Sequence, residues 1–250
     1  MIRWRILTTV FVTLFLIQGL LTGQQDPLFR SGTELVDLYV TVTDDDGRLV
    51  PNLEENDFTI LDNDQPQEIA LFGNEVRPIN VVVMLDSSIS TTNVMHLIMG
   101  GAEQFLIRML PDDRARVGAF NDKIEVLPTE FIGDRDELIR ALDTLDFGNE
   151  TRLFDAIGAS LDALQGIEGR KVVLVLTDGQ DSASQKGWRD VLEQAITEEV
   201  MIYSIGLEVE YFDGLRNRRT RPDRSLRRLA EETGGGYFEL QETDELGSTF

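Results

Sequence analysis

The chain has 250 residues and a formal net charge of −22, because 45 Asp and Glu residues outnumber 23 Lys and Arg residues. Such an acidic excess excludes a general nucleic-acid-binding face and argues against adsorption to anionic lipid. The absence of cysteine and the single histidine, His96, exclude disulfides, thiolate chemistry and His-rich metal sites.

Residues 1–23 have the pattern of a secretory signal peptide. Arg3 and Arg5 precede the mostly apolar residues 6–21, and small residues follow near Gly23. We therefore predict an exported protein, either secreted or held in the periplasm or cell envelope. An uncleaved membrane anchor is the alternative, although the apolar run is short for a membrane-spanning helix.

A small antiparallel β region is predicted over residues 24–77. Val36, Leu38, Val40 and Val42 alternate with polar residues, and two further strands are expected at residues 58–61 and 69–72. Residues 44–46, which are all Asp, and residues 62–64 are predicted as turns. For the acidic triplet 44–46 a calcium site is disfavoured, since the spaced ligand pattern of a calcium loop is missing.

Residues 78–250 alternate between strand and helix patterns. The alternation predicts an α/β fold, a doubly wound and mostly parallel sheet with helices on both faces. The predicted strands are 79–85, 116–120, 124–127, 171–176, 200–205 and 237–240, and the predicted helices are 94–110, 136–145, 153–164, 188–198 and 225–233.

Hydroxyl and carboxylate side chains follow the buried strands. Asp86 ends the first strand, with Ser88 and Ser90 at alternate positions after it, and Asp178 ends a second buried strand. Thr151 lies in a third loop, just before a helix. Parallel strands end at one sheet edge, and oxygen ligands alone suit Mg²⁺ or Mn²⁺. Seen by itself, the first turn is equally consistent with residues that cap the following helix.

Three separated motifs resemble the von Willebrand factor type A (VWA) domain family. They are D-x-S-x-S at residues 86–90, T-x-L-x-D-A at 151–156 and L-T-D-G at 176–179, in that family's order and spacing. The resemblance extends over roughly residues 78–245. The preceding β region is similar to the segment before this domain in exported bacterial relatives.

The resemblance implies a metal-ion-dependent adhesion site (MIDAS). Ser88, Ser90 and Thr151 would supply hydroxyl oxygens to Mg²⁺, or to Mn²⁺ or Ca²⁺, while Asp86 and Asp178 would stand close, partly through water. The implied function is non-catalytic binding of a partner protein through an Asp or Glu carboxylate of that partner. Three other nearby carboxylates are assigned to turns, helix starts or the rim of the site: Asp122, Asp155 and Asp181.

Two alternatives use the same fold: a Mg²⁺-dependent hydrolase such as a phosphatase, and a structural subunit with a vestigial site. The chain has no G-x-S-x-G elbow and no phosphate-cradling loop, and His96 falls within a predicted helix. We therefore predict that the protein is not an enzyme.

The connection over residues 208–224 is longer than usual, and arginines crowd into it and into the helix that follows: Arg216, Arg218, Arg219, Arg221, Arg224, Arg227 and Arg228. The cluster is predicted either as a solvated loop or as a dock for an acidic surface, on a partner or on this protein. The chain stops at Phe250, where a closing helix is expected to continue, as in a fragment or a truncated gene product.

Overall fold

The computed structural model describes residues 36, 38–44, 50–73, 77–207, 210–212 and 215–240. All but Val36 belong to one of the two compact units into which the chain divides, Asp37–Phe250. The predicted signal peptide lies outside the described residues. None of the helices in the described part of the chain combines the length and the apolar character that a membrane span needs.

Ten strands and five α-helices make up the described secondary structure, apart from two short 3₁₀ turns. The strands are β1 (Ile60–Asp62), β2 (Gln65–Gln67), β3 (Ile79–Asp86), β4 (Arg114–Phe120), β5 (Ile124–Ile132), β6 (Arg170–Thr177), β7 (Val200–Leu207), β8 (Glu210–Phe212), β9 (Asn217–Arg219) and β10 (Tyr237–Leu240). The helices are α1 (Met95–Arg108), α2 (Arg135–Leu142), α3 (Leu153–Leu164), α4 (Trp188–Thr197) and α5 (Arg224–Glu232).

Six of the strands form one sheet in the order β10, β7, β6, β3, β4, β5. All neighbours in it are parallel except β4 and β5, which form an antiparallel pair at one edge. The predicted doubly wound, mostly parallel sheet is therefore confirmed.

The central strand β3 is buried on both faces, and its side chains alternate between two cores. Val81, Val83 and Leu85 pack with residues of α1 and α2. Val82 and Met84 point to the opposite face and pack with residues of α3, α4 and α5. Helices thus cover both faces, which explains why the strand is a nearly continuous apolar run.

The connections that follow the two central strands, β3 and β6, lead to opposite sides of the sheet. From β3 the chain passes through α1 to β4, and from β6 it passes through α4 to β7, on the other side. Such a reversal opens a crevice at the carboxyl ends of the two strands, which is where open α/β sheets bind ligands. The loops after β3 and β6 therefore flank the place where a site is expected.

The small β region differs from its prediction. Asn63 and Asp64 both have positive φ, 49° and 63°, as in the two-residue turns that favour hairpins. Because this tight turn makes β1 pair with residues directly after it, the partner strand is Gln65–Gln67. The predicted strand at 69–72 is wrong, and that stretch lies beyond the paired residues.

Residues 38–43 pack on the α/β domain through Tyr39 and Thr41, on the side of the predicted strand opposite to Leu38 and Val40. The hydroxyl of Thr41 lies 2.9 Å from that of Tyr203 and donates to the Gly234 carbonyl at 2.9 Å, and Tyr39 packs against the core. Leu38 and Val40 are instead 57% and 59% exposed. The apolar side of this predicted strand thus faces solvent.

Candidate metal centre

Asp86, the last residue of β3, is completely buried. Its Oδ1 accepts the Ser88 backbone N–H at 3.0 Å, and its Oδ2 accepts the Thr177 hydroxyl at 2.5 Å. These bonds join the ends of β3 and β6 through one carboxylate. Asp86 is thereby fixed at the bottom of the crevice between the two strands.

Asp178 follows β6 and is also completely buried. The Ser90 hydroxyl donates to its Oδ1 at 2.9 Å, and the Ser88 and Ser90 hydroxyl oxygens lie 3.0 Å apart. Within the described part of the chain, Asp178 Oδ2 has no hydrogen-bond partner. A buried carboxylate oxygen without a partner is costly, and a bound cation would satisfy it.

Gly179 shows that oxygen atoms from three loops approach one point. A side-chain carbon placed on this glycine would lie 3.8 Å from Ser90 Oγ, 3.9 Å from Asp86 Oδ2 and 4.0 Å from Thr151 Oγ1. The lack of a side chain at Gly179 keeps this space open. The structure thus brings together all five residues that the sequence predicts as metal ligands.

The two carboxylates of the crevice have perturbed acidities. Burial raises the pKa of Asp86. Burial, and after it the neighbouring charge of Asp86, raise the pKa of Asp178 to about 6. Two buried carboxylates that repel one another are a poor arrangement without a cation and a favourable one around it.

Thr151 is held from the side of β6 by the loop that follows Asp178. Its backbone N–H donates to Ser182 Oγ at 3.0 Å, and its carbonyl accepts the N–H groups of Ser182 and Ala183 at 2.9 and 3.2 Å. The loop after β6 and the loop before α3 therefore act as one unit. The position of Thr151 depends on this pairing.

Asp122 and Asp155 fasten that unit at two further points. Asp122 accepts the backbone N–H groups of Asn149 and Glu150 at 2.9 and 3.2 Å. Asp155 accepts those of Gln185 and Lys186 at 3.0 and 2.9 Å and pairs with Arg152 at 2.7 Å. The sequence predicts only local turn or helix-start roles for these two residues; each also joins separate loops.

The acidity of Asp155 is consistent with this role. Burial alone would raise its pKa, but the N–H groups of Lys186 and Gln185 and the Arg152 guanidinium outweigh burial, so the pKa is lowered. Asp181, the third carboxylate considered from the sequence, accepts the N–H groups of Phe154 and Ser184 at 3.4 and 3.3 Å. Asp181 therefore joins the loop after β6 to the first turn of α3 as well as ordering its own loop.

Ser87 and Asn121 are supporting residues that the sequence analysis missed. Asn121 donates to Ser87 Oγ at 2.9 Å and to the Asp146 carbonyl at 3.0 Å, and the Ser87 carbonyl accepts the Gly148 N–H at 3.1 Å. The pair ties the loop after β3 to the loop that leads to Thr151. The only local signal was the Asn-Asp turn at the end of β4.

The donor set fits a hard divalent cation. The gathered side chains offer only oxygen, as Mg²⁺, Mn²⁺ and Ca²⁺ prefer. Among the described residues, no group of three or more His, Cys, Asp or Glu side chains is arranged to hold a metal ion. The crevice instead combines two carboxylates, Asp86 and Asp178, with three hydroxyl oxygens, from Ser88, Ser90 and Thr151.

Sequence comparison gives a family match. The family model of the von Willebrand factor type A domain matches residues 80–250, more than half of the chain. No curated protein sequence matches the chain.

Several solved structures share the fold. An aerotolerance-related membrane protein from Bacteroides fragilis is 15% identical with a TM-score of 0.55, over 68% of this chain and 94% of that one. The ArnB paralog VWA2 from Sulfolobus acidocaldarius is 22% identical with a TM-score of 0.55, over 70% and 44%. Proximal thread matrix protein 1 from the mussel byssus, with a zinc-occupied MIDAS motif, is 20% identical with a TM-score of 0.55, over 68% and 43%. This chain therefore spans less than half of the length of the last two proteins.

Proposed function

Because the chain belongs to the von Willebrand factor type A domain family, we propose that it is an exported, metal-ion-dependent protein-binding module. Its site would hold Mg²⁺ through Ser88, Ser90 and Thr151, with Asp86 and Asp178 close behind. The ligand would be a partner protein that supplies an Asp or Glu carboxylate.

One observation supports this proposal above the others. Oxygen atoms of Asp86, Ser90 and Thr151 all lie within 4.0 Å of one open point at Gly179, and the buried Oδ2 of the preceding residue, Asp178, has no partner among the described residues. Helix capping alone does not explain this arrangement of oxygen atoms, since Asp178 is not a cap of any described helix. The mussel protein with a zinc-occupied MIDAS motif gives independent support on the same fold.

The donor chemistry favours an external carboxylate. Ser88, Ser90 and Thr151 contribute neutral oxygens, so little negative charge would contact the cation directly. A Mg²⁺ ion held in this way supplies a positive centre with a coordination position left for a ligand oxygen. Asp86 positions Ser88 by accepting its backbone N–H, and Asp178 orients the Ser90 hydroxyl by accepting its hydrogen bond.

Binding is better supported than hydrolysis. A hydrolase needs a group that accepts a proton near the substrate. The two carboxylates of the crevice, Asp86 and Asp178, are completely buried. His96 is exposed on α1, and the chain has no cysteine. No specific observation favours the phosphatase alternative or a vestigial site. The proposed export is supported by the pattern of residues 1–23 and by the membrane-related description of the Bacteroides fragilis structure.

Calorimetric titration of the purified protein with Mn²⁺ and Mg²⁺ tests the proposal. We expect one binding event that is lost in Asp86→Asn and Asp178→Asn, which keep the side-chain size but remove the charge. Glu103→Gln, on the exposed side of α1, is the control and should bind as the wild type does. Metal binding that survives both aspartate substitutions would overturn the proposal.

A further inference from the structure

The arginine-rich segment, Arg216 to Arg228, lies at the carboxyl ends of the parallel strands, where the candidate metal centre also lies. The backbone N–H of Asp223 donates to the carbonyl of Gly179 at 3.2 Å. Pro222 packs so closely on Gly206 that a side-chain carbon there would lie 2.7 Å from Pro222 Cγ. The segment is therefore seated directly against the residue that follows Asp178.

Part of the segment is occupied by contacts within the protein. Arg228 pairs with Glu232 at 3.0 Å and lies 4.8 Å from the centre of the Trp188 ring. Arg227 lies 4.6 Å from the centre of the Tyr237 ring and 4.0 Å from the Glu239 carboxylate. These two arginines stabilise the packing of α5 and do not need a partner protein to explain them.

Arg221 and Arg224 differ, because both are exposed and neither forms an ion pair with a described residue. They flank Asp223, whose backbone contacts the metal-site loop. Arg224 is also the first residue of α5, the helix end at which a positive charge is unfavourable. The Asp223 carboxylate between the two arginines accepts the Ser225 N–H and hydroxyl and caps that helix end, so two exposed positive charges stand beside one engaged negative charge.

We propose that Arg221 and Arg224 extend the metal site into a docking surface for an acidic segment of a partner protein. One carboxylate of that segment would bind at the metal, and further carboxylates would contact the two arginines. The inference rests on the proposed function, which supplies the first carboxylate. It adds that the partner carries several acidic residues in a row.

Charge complementarity supports an acidic protein segment over a nucleic acid. The net charge of −22 disfavours the approach of a long polyanion, which would extend beyond the two arginines over the rest of this acidic protein. A short acidic segment needs only the two arginines and the metal beside them.

Two fluorescent peptides test the proposal with the full chain in Mn²⁺. One carries a single Glu among Ser and Gly residues, and the other carries the same Glu followed by four more. We expect the wild type to bind the acidic peptide about three- to tenfold more tightly, which two exposed charge contacts provide. The double variant Arg221→Gln and Arg224→Gln should lose this preference, yet bind Mn²⁺ and the single-Glu peptide unchanged.

The double variant Arg114→Gln and Arg140→Gln is the matched control. It removes the same charge from two exposed positions. One of them, Arg114, begins β4 and so lies at the end of the sheet opposite to the candidate metal centre. The control's preference for the acidic peptide should equal that of the wild type. An equal loss in both double variants would indicate net charge alone and overturn the proposal.

Two other results would also overturn it. A wild type that takes up Mn²⁺ and binds both peptides equally would contradict the docking surface while leaving the metal site intact. Binding of a single-stranded oligonucleotide that needs Arg221 and Arg224 but not Mn²⁺ would assign the patch to nucleic acid. Failure of the proposed function is separate, because Mn²⁺ uptake without peptide is then absent.

Discussion

The carboxylate of Asp86 lies close enough to that of Asp178 to alter its acidity. Burial first, and then the charge of Asp86, raise the pKa of Asp178 from 3.8 to about 6. Each residue ends or follows one of the two central strands, so the sheet topology itself brings the charges together. We expect the pair to destabilise the metal-free protein at neutral pH.

We expect the contribution of Asp178 to the stability of the metal-free protein to fall as the pH rises through about 6. The folded state holds a proton on Asp178 more tightly than the unfolded state does. Its contribution is therefore fully present below pH 3.8 and is lost as the pH rises through about 6. In EDTA, the free energy of unfolding relative to that of Asp178→Asn should fall by up to roughly 3 kcal/mol between about pH 4 and pH 6.5.

Urea unfolding followed by circular dichroism measures this difference. Asp178→Asn is the appropriate reference, because other carboxylates, such as Asp155 with its lowered pKa, change stability in the opposite direction in both proteins. If the free energy of unfolding changes with pH in the same way in the wild type and in Asp178→Asn, Asp178 is not the residue that destabilises the metal-free protein.

Divalent cations should stabilise the wild type at neutral pH. A ligand that binds only the folded state adds about 2.7 kcal/mol at a concentration one hundred times its Kd. With saturating Mn²⁺ we therefore expect the melting temperature of the wild type to rise by several degrees and that of Asp86→Asn to stay constant. A similar rise in both proteins would point to binding elsewhere on the acidic surface.

The sequence predicts the fold well where apolar residues recur at helical or strand spacing and are also buried in the structure. Helix α3 begins and ends at the predicted residues, because Leu153, Ile157, Leu161 and Leu164 repeat at helical spacing and all are buried. The second strand of the small hairpin was placed wrongly, since an apolar run says nothing about which residues a tight turn will pair.

The sequence predicts which residues form the site, but not the hydrogen bonds that hold those residues in position. Asp86 and Asp178 follow apolar strands, and the VWA motifs add Thr151 from a third loop. The bonds from Asp122 and Asp155 to backbone N–H groups join loops far apart in sequence. No local pattern encodes such contacts, which form only when the tertiary structure brings the loops together.

Asp155 is expected to act on metal affinity without touching the metal. Asp155→Ala removes the acceptor for the N–H groups of Gln185 and Lys186 and releases the loop that holds Thr151. Residues that orient metal ligands typically change affinity by about 10- to 100-fold, so we expect a loss in that range. Titration with Mn²⁺ measures the affinity, and amide exchange over residues 180–187 measures the release of the loop.

Asp162→Ala is the matched control for that substitution. Asp162 lies on the same helix, is exposed and accepts only a side-chain bond, from Gln194 at 2.8 Å. Its Mn²⁺ affinity should equal that of the wild type. Reduced affinity in both variants would assign the effect to helix stability and not to the position of Thr151.

Gly179→Ala offers the most direct test of where the cation lies. The added methyl group would sit 3.8 to 4.0 Å from Ser90 Oγ, Asp86 Oδ2 and Thr151 Oγ1, which is ordinary van der Waals contact, so the protein should fold normally. The same methyl group takes up open space beside these oxygens, where the cation and its water ligands need room, and we expect Mn²⁺ affinity to fall by about tenfold or more. Gly100→Ala, where nothing lies within 4 Å, should leave the affinity unchanged. If Gly179→Ala folds and still binds Mn²⁺ as tightly as the wild type, the cation and its water ligands do not use the space beside Gly179.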